Sequence, residues 1–183
     1  MCSRFRLFIS ILFLVAAMPL QAQVFSTNNG KVQFRSDAPL ELIRASSDQM
    51  KGKLDIGRKL FAFSVPVSTF EGFNNPLQKE HFNENYMESN LHPNATFSGK
   101  IIEDIDFSVP GKYTVRAKGN LVVHGVSQER IIKSELTVTP SGCSILSNFT
   151  VLLADHQIPI PKVVHEKLAS EIKVEVKASL IKP

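Results

Sequence analysis

Five histidines, His81, His92, His124, His156 and His165, are the residues of this chain best suited to hold a metal or move a proton. A zinc site needs three or four such ligands converging in space. No two histidines show the H-x-x-x-H spacing that would place both on one helical face, and the approach to a ligand spacing is read at His81 with Glu84. The spacing therefore predicts no metal site. His81, beside Phe82, and His124, which ends a strong strand pattern at a turn, are the best candidates for a functional histidine. A structural or surface role is the ordinary explanation for a histidine.

Nucleophilic catalysis finds no support. There is no G-x-S-x-G and no glycine-rich phosphate loop. Glu103, Asp104 and Asp106 alternate as strand faces would, with Asp104 and Asp106 on the outer face. Glu103 falls on the inner face of Phe97 and Ile101, where an unpaired carboxylate costs several kcal/mol. It marks either a polar barrel mouth or a break in register. No residue is predicted to be catalytic, no cofactor is implied, and the chain is not read as an enzyme.

The first 22 residues stand apart from the rest. Arg4 and Arg6 precede an apolar run, Leu7 to Met18, and Pro19-Leu20-Gln21-Ala22 ends on a small residue. That is the pattern of a secretory signal peptide. The run is shorter than the roughly 20 residues needed to cross a bilayer. Cys2 lies before it, so there is no lipoprotein cleavage box. The expected organisation is a signal peptide over 1–22 and one domain over 23–183. The expected location is periplasmic or secreted, with no stable membrane insertion after cleavage. The formal charge of +4 includes Arg4 and Arg6, which leaves the mature chain near +2. Lysines and glutamates are interspersed, as in Glu171 to Lys177, so nucleic acid is not an expected partner. Only Cys143 survives cleavage, which excludes an intramolecular disulfide. It reads as a small buried apolar residue.

Period-two alternation dominates the mature chain. Phe61, Phe63, Val65 and Val67 share one face. Phe97, Ile101, Ile105 and Phe107 share another, and Tyr113, Val115, Ala117, Gly119, Leu121 and Val123 a third. Further runs follow at Ile132 to Val138, Ser147 to Leu153 and Ile172 to Leu180. Turn residues separate them at Val109-Pro110-Gly111-Lys112, His124-Gly125 and Thr139-Pro140-Ser141-Gly142. Long consecutive strands with short turns predict an all-β, eight-stranded antiparallel up-and-down barrel. Gly99 and Gly119 inside strands fit the bending that closure requires. Two segments break the pattern. Phe70 to Leu91 reads as a loop with a short helix near Leu77 to Met87. Pro161 to Ser170 reads as a helix, with Val164 and Leu168 four apart.

The aromatic stock is ten phenylalanines after Ala22, two tyrosines and no tryptophan. Phe61, Phe63, Phe97, Phe107 and Phe149 point to one inner face. A small barrel either fills its interior with side chains or holds one small ligand. The pattern is the same for both.

Several motifs resemble the YceI-like family of secreted lipid-binding proteins. Gly30-Lys31-Val32-Gln33-Phe34-Arg35-Ser36 with Ala38-Pro39 looks like its first strand and turn, and Gly52-Lys53-Leu54-Asp55-Ile56 like its second hairpin. The excursion ending His81-Phe82-Asn83-Glu84-Asn85-Tyr86, the strand Thr96 to Ile101, the turn Gly119 to Val126, and Phe149-Thr150-Val151 with Asp155 to Pro159 follow in the family's order. The match runs over about residues 24 to 182. The chain differs at Glu84-Asn85-Tyr86-Met87-Glu88, where many relatives are aspartate-rich and end in Tyr-Pro. It differs again at His124 to Gln128, where Gly-Val-Thr-Lys-Pro is frequent. The resemblance implies a lipocalin-like barrel with one or two short helices, closed at one end, holding an isoprenoid or fatty-acyl amphiphile. The chain of that lipid would lie against Phe61, Phe63, Phe97, Ile101, Tyr113, Val115, Leu121 and Phe149, and its head group would meet His81, Glu84 or Tyr86. A monomer or homodimer is expected. The competing readings are an adaptor or stress-response module with a filled core, and a metal-dependent hydrolase on the same barrel, which requires several histidines to converge.

Overall fold

The computed structural model describes residues 23–182, so the signal peptide read at 1–22 lies outside the described residues. Eight strands form a closed antiparallel barrel in sequence order. They are β1 Val24–Asp37, β2 Leu42–Asp55, β3 Leu60–Pro66 and β4 Asn94–Ile101. β5 Gly111–Val123, β6 Val126–Thr139, β7 Gly142–Leu152 and β8 Glu171–Ile181 complete the meander. β8 returns to β1 through the register Lys31↔Lys177 to Arg35↔Lys173. Among the described residues no helix is long and apolar enough to cross a membrane.

The alternation read from the sequence is the inside–outside alternation of the barrel. In β5, Val115, Ala117 and Leu121 are buried, while Lys112, Thr114, Arg116 and Lys118 are exposed. In β6, Ile132, Ser134, Leu136 and Val138 are buried, while Ile131, Lys133, Glu135 and Thr139 are exposed. β5 and β6 are joined by His124 and Gly125 alone, with φ of 50° and 70°. Two successive left-handed residues are the backbone of a type I′ turn, whose twist matches that of the strands it joins.

Gly99 and Gly119 face each other across β4 and β5. A Cβ on Gly99 would stand 2.5 Å from the Cα of Gly119 and closer still to the Lys118 carbonyl. The two strands cross here at a separation that only a pair of glycines permits. This is the bending site expected from the sequence.

The two ends of the barrel differ. At one end Leu54, Leu136 and Leu180 are each 1% exposed and pack with Phe25, Val138 and Cys143 into a dry plug. Tyr113 covers this end, its hydroxyl donating to the Val109 carbonyl at 2.9 Å. The other end carries the β3–β4 excursion and the β7–β8 connection. The excursion contains helix α1, Pro76–His81, which runs into a π-helical turn at Phe82–Tyr86. Asn75 caps α1 by accepting from the Gln78 amide at 2.9 Å, and Pro76 occupies the first turn. This element matches the helix expected near Leu77 to Met87.

Three local expectations need correction. The strand through Phe97 and Ile101 ends at Ile101, and Ile105 and Phe107 reach the plug from the loop before β5. Glu103 does not point inward. Its carboxylate accepts from the Arg116 amide at 2.6 Å and from Arg116 Nε at 2.7 Å. The amide bond and then the guanidinium hold its pKa below the usual value. The segment Pro161 to Ser170 is not an α-helix but a 3₁₀ turn, Lys162–Val164, followed by further turns. Its polar groups are drawn elsewhere: the Glu166 carbonyl accepts from the Leu40 amide and the Ala169 amide donates to Ser36 Oγ, both at 2.9 Å.

Cys143 lies in the plug, opposite Leu180 on β8 and Val138 on β6. Burial pushes its thiol from an ordinary 9.0 up to about 11. The folded state thus favours the protonated form. Cys143 then contributes fully to stability below pH 9 and loses that contribution as the pH climbs toward 11. The expected result is no alkylation of the native protein at neutral pH and complete alkylation in denaturant, measured by mass spectrometry. Rapid native labelling would contradict this placement.

A candidate ligand cavity and a histidine–carboxylate cluster

Above the plug the barrel is hollow. The change from buried to accessible on the inner face is clearest in β8. In β8, Leu180 and Ala178 are buried, whereas Val176, Val174 and Ile172 are only partly so. Ile145 and Phe149 of β7 and Phe34 of β1 are likewise inward-facing but accessible. They line a cavity of about 540 Å³. Small-molecule sites span about 300–1,000 Å³.

The lining is strongly apolar. Of the residues expected to meet a lipid chain, Phe61, Phe63, Phe97, Ile101, Val115, Leu121 and Phe149 all line it. Tyr113 does not, since it is turned to the closed end against Val109. Phe61 and Phe97 pack with ring centroids 4.9 Å apart. Half-way along the wall, Ser134 and Ser147 pair their hydroxyls at 2.7 Å, so this polar spot satisfies itself.

At the lid end, Phe34 meets Phe70, Phe73 and Phe82 at 5.4, 6.0 and 5.3 Å between ring centroids. All four rings line the cavity. In the sequence the three from the excursion stand among polar residues of the loop-and-helix segment Phe70 to Leu91. Their convergence on Phe34 depends on the barrel placing β1 beneath the lid. The excursion is tied down by reciprocal backbone bonds between Ser46 and Glu71, at 2.8 and 2.9 Å.

Polar groups gather at the mouth. Glu41, Asn75, Gln78, His81 and Lys167 contribute to the lining there. Gln78 Nε2 donates to Glu41 Oε1 at 2.8 Å. His81 and Tyr86 line the cavity, and burial raises the pKa of the Tyr86 phenol. Glu84 is exposed and does not line it.

A second group of chemistry-bearing residues lies outside the cavity lining. Glu88, His92 and His124 each offer one ligand atom, all within 4.8 Å of one another. The sequence reading singled out His124 but missed its partners. The signal was the Glu88-Ser89-Asn90-Leu91-His92 spacing, which one turn of backbone brings onto one side: the His92 amide donates to the Glu88 carbonyl at 2.9 Å.

Comparison with known proteins follows the same geometry. The YceI-like domain family model matches residues 23–180. The chain belongs to the YceI-like family. Among curated proteins no sequence gives a significant match. Solved structures show the same fold at low identity. A polyisoprenoid binding domain from Saccharophagus degradans, described as implicated in plant cell wall breakdown, superposes with a TM-score of 0.75 at 11% identity. That comparison covers 89% of this chain and 100% of the other. BcnA from Burkholderia cenocepacia gives 0.67 at 12% identity, covering 84% of this chain and 96% of that one. The YceI protein of Campylobacter jejuni gives 0.54 at 13%, covering 97% and 98%. The family's barrel is thus built here on a largely different set of side chains.

Proposed function

We propose that the protein is a non-catalytic carrier that holds an isoprenoid or fatty-acyl amphiphile, tail inward, in the barrel cavity. The observation that carries this reading is the set of inward apolar side chains, Ile145 and Phe149 of β7 and Ile172, Val174 and Val176 of β8, left partly accessible above a tightly packed plug. A domain folded only for its own stability would close such a space, because each unfilled methylene volume costs about 1 kcal/mol. The gain on filling it is apolar burial, about 0.8 kcal/mol per CH₂, hence roughly 4 kcal/mol per five-carbon unit. Few polar contacts are needed, and Asn75, Gln78, His81 and Tyr86 at the mouth suit a polar head group. The hollow interior runs against the filled-core adaptor. The hydrolase expectation required histidines to converge, and the two that do, His92 and His124, stand outside the cavity. The fold's likeness to a polyisoprenoid binding domain supports the carrier reading. A location outside the cytoplasm is part of the same proposal and rests on the pattern at 1–22.

The test is native mass spectrometry of protein purified from its own host, followed by organic extraction. A bound mass of isoprenoid or fatty-acyl composition is the expected result. A bare protein mass that does not change on adding quinones or polyprenyl lipids would overturn it.

A further inference from the structure

The cluster of Glu88, His92 and His124 joins two parts of the chain that are otherwise separate. Glu88 and His92 end the lid excursion, and His124 is the first residue of the β5–β6 turn. Glu88 and His124 both adopt left-handed backbone, with φ of 43° and 50°. At His124 that conformation is what the type I′ turn requires, and at Glu88 it is the left-handed residue that ends the π-helical turn. Gly125 completes the fit: a Cβ there would stand 2.5 Å from His92 Cε1, so glycine is what lets the imidazole lie against the turn. The rings of His92 and His124 are 5.1 Å apart and nearly perpendicular.

The hydrogen bonding of His124 defines what its free nitrogen can do. Nδ1 is 3.1 Å from the His156 carbonyl. A carbonyl only accepts, so Nδ1 carries the hydrogen. Nε2 then faces Glu88 Oε2 at 2.8 Å. In the neutral ring this places a lone pair against a carboxylate, and the pair needs a positive centre between or upon them. A ring N–H held by a backbone carbonyl fixes the direction of the other nitrogen, which is how metal-binding histidines are oriented; here that nitrogen lies beside a second candidate ligand, Glu88. His156 is itself fully buried and anchored through its Nδ1 to the Val126 carbonyl at 3.0 Å, so the orienting carbonyl is rigid.

We propose that Glu88, His92 and His124 bind a divalent transition-metal ion, best matched by Zn²⁺, which clips the lid excursion to the β5–β6 turn. Two imidazoles and one carboxylate are a three-ligand zinc set that leaves a fourth position for water. The competing account is a plain ion pair between Glu88 and a protonated His124, which gives His92 no role.

The experiment is calorimetric titration of the purified full protein with ZnCl₂ at neutral pH, repeated for His92→Ala, Glu88→Gln and the distant His165→Ala. The expected result is one ion per chain, with binding weakened roughly 100-fold or more in His92→Ala and Glu88→Gln and unchanged in His165→Ala. At about 100-fold excess over the dissociation constant, zinc should raise Tm by roughly 5–10 °C. Residues 82–92 should gain hydrogen-exchange protection at the same time. Co²⁺ in place of Zn²⁺ should give the visible absorption of a four-coordinate site with a nitrogen-rich ligand set. Absence of stoichiometric zinc binding, or binding that survives His92→Ala, would overturn the proposal in favour of the ion pair. Neither outcome bears on lipid capture, which is read by a different measurement at a different site.

Discussion

Replacing Val176 by tryptophan is expected to abolish lipid capture while leaving the barrel folded. Val176 lies at mid-height on β8, between Val32 of β1 and Ser147 of β7, and its side chain faces the cavity. It is only partly buried, so a larger ring has somewhere to go. The indole would occupy the path of roughly four or five carbons of a bound tail. At about 0.8 kcal/mol per carbon this removes roughly 3–4 kcal/mol, or about 10²–10³-fold in affinity. The chain has no tryptophan of its own. Indole fluorescence of the variant therefore reports directly on whether the cavity holds water, side chains or lipid. Unchanged affinity for a lipid that co-purifies with the natural protein would show that it binds elsewhere, and the carrier reading would have to leave the cavity.

The second large effect is expected at Gly99. Gly99→Ala introduces a methyl group into the β4–β5 crossing, 2.5 Å from Gly119 Cα, with backbone as the obstacle. No rotamer can relieve a clash between backbones. Either the strands part, losing neighbouring ladder bonds, or the barrel changes shape. The cost is expected to be about 3 kcal/mol or more, at the upper end of overpacking effects. Lys100→Ala, one residue along on the exposed face, should change stability by less than about 0.5 kcal/mol. Urea denaturation of both variants checks this. Equal midpoints for the two would show that the crossing is looser than its geometry implies.

The legibility of this fold in its sequence follows from what each pattern reports. Alternation reports which side chains face an apolar interior, and here nearly every inward run lies on a strand. It does not report whether the backbone is paired. Ile105 and Phe107 continue the period of Phe97 and Ile101, yet they belong to a loop folded under the plug, because a loop residue packed on the core obeys the same preference. Helical spacing misled in the same way at Val164 and Leu168. The bond from the Leu168 amide to the Val164 carbonyl at 2.9 Å is the one α-helical bond between them, beside the 3₁₀ bonds of Val164 to Pro161 and Lys167. Glu103 read as inward because the strand was extended past Ile101. Once the strand stops, the carboxylate is free to bind Arg116.

The candidate sites were legible to different degrees. Seven of the eight residues expected along the lipid chain line the cavity, since facing inward and lining a hollow are the same condition on a barrel strand. Tyr113 was the exception because height along the barrel, which separates plug from hollow, has no signature in the alternation. Whether the interior is empty was beyond the sequence altogether, as Leu, Val and Phe serve either outcome. The histidine–carboxylate cluster was illegible for another reason. Its members come from the turn that follows the π-helical segment and from a hairpin, and only the closed barrel brings the two together.

The order of the strands carries a consequence for assembly. Seven of the eight pairings join consecutive strands, most of them through short turns that lose little entropy, while β3–β4 and β7–β8 close longer connections. The pairing of β1 with β8 alone joins the two ends of the domain. Nearly all the long-range closure is concentrated in that one seam, which makes it the slow, late event of folding. Phe34 lies on one side of the seam and Val174 on the other, and both line the hollow interior. A nascent chain thus has no container until its last strand has docked. A molecule bound inside would touch both sides of the seam and so hold it shut.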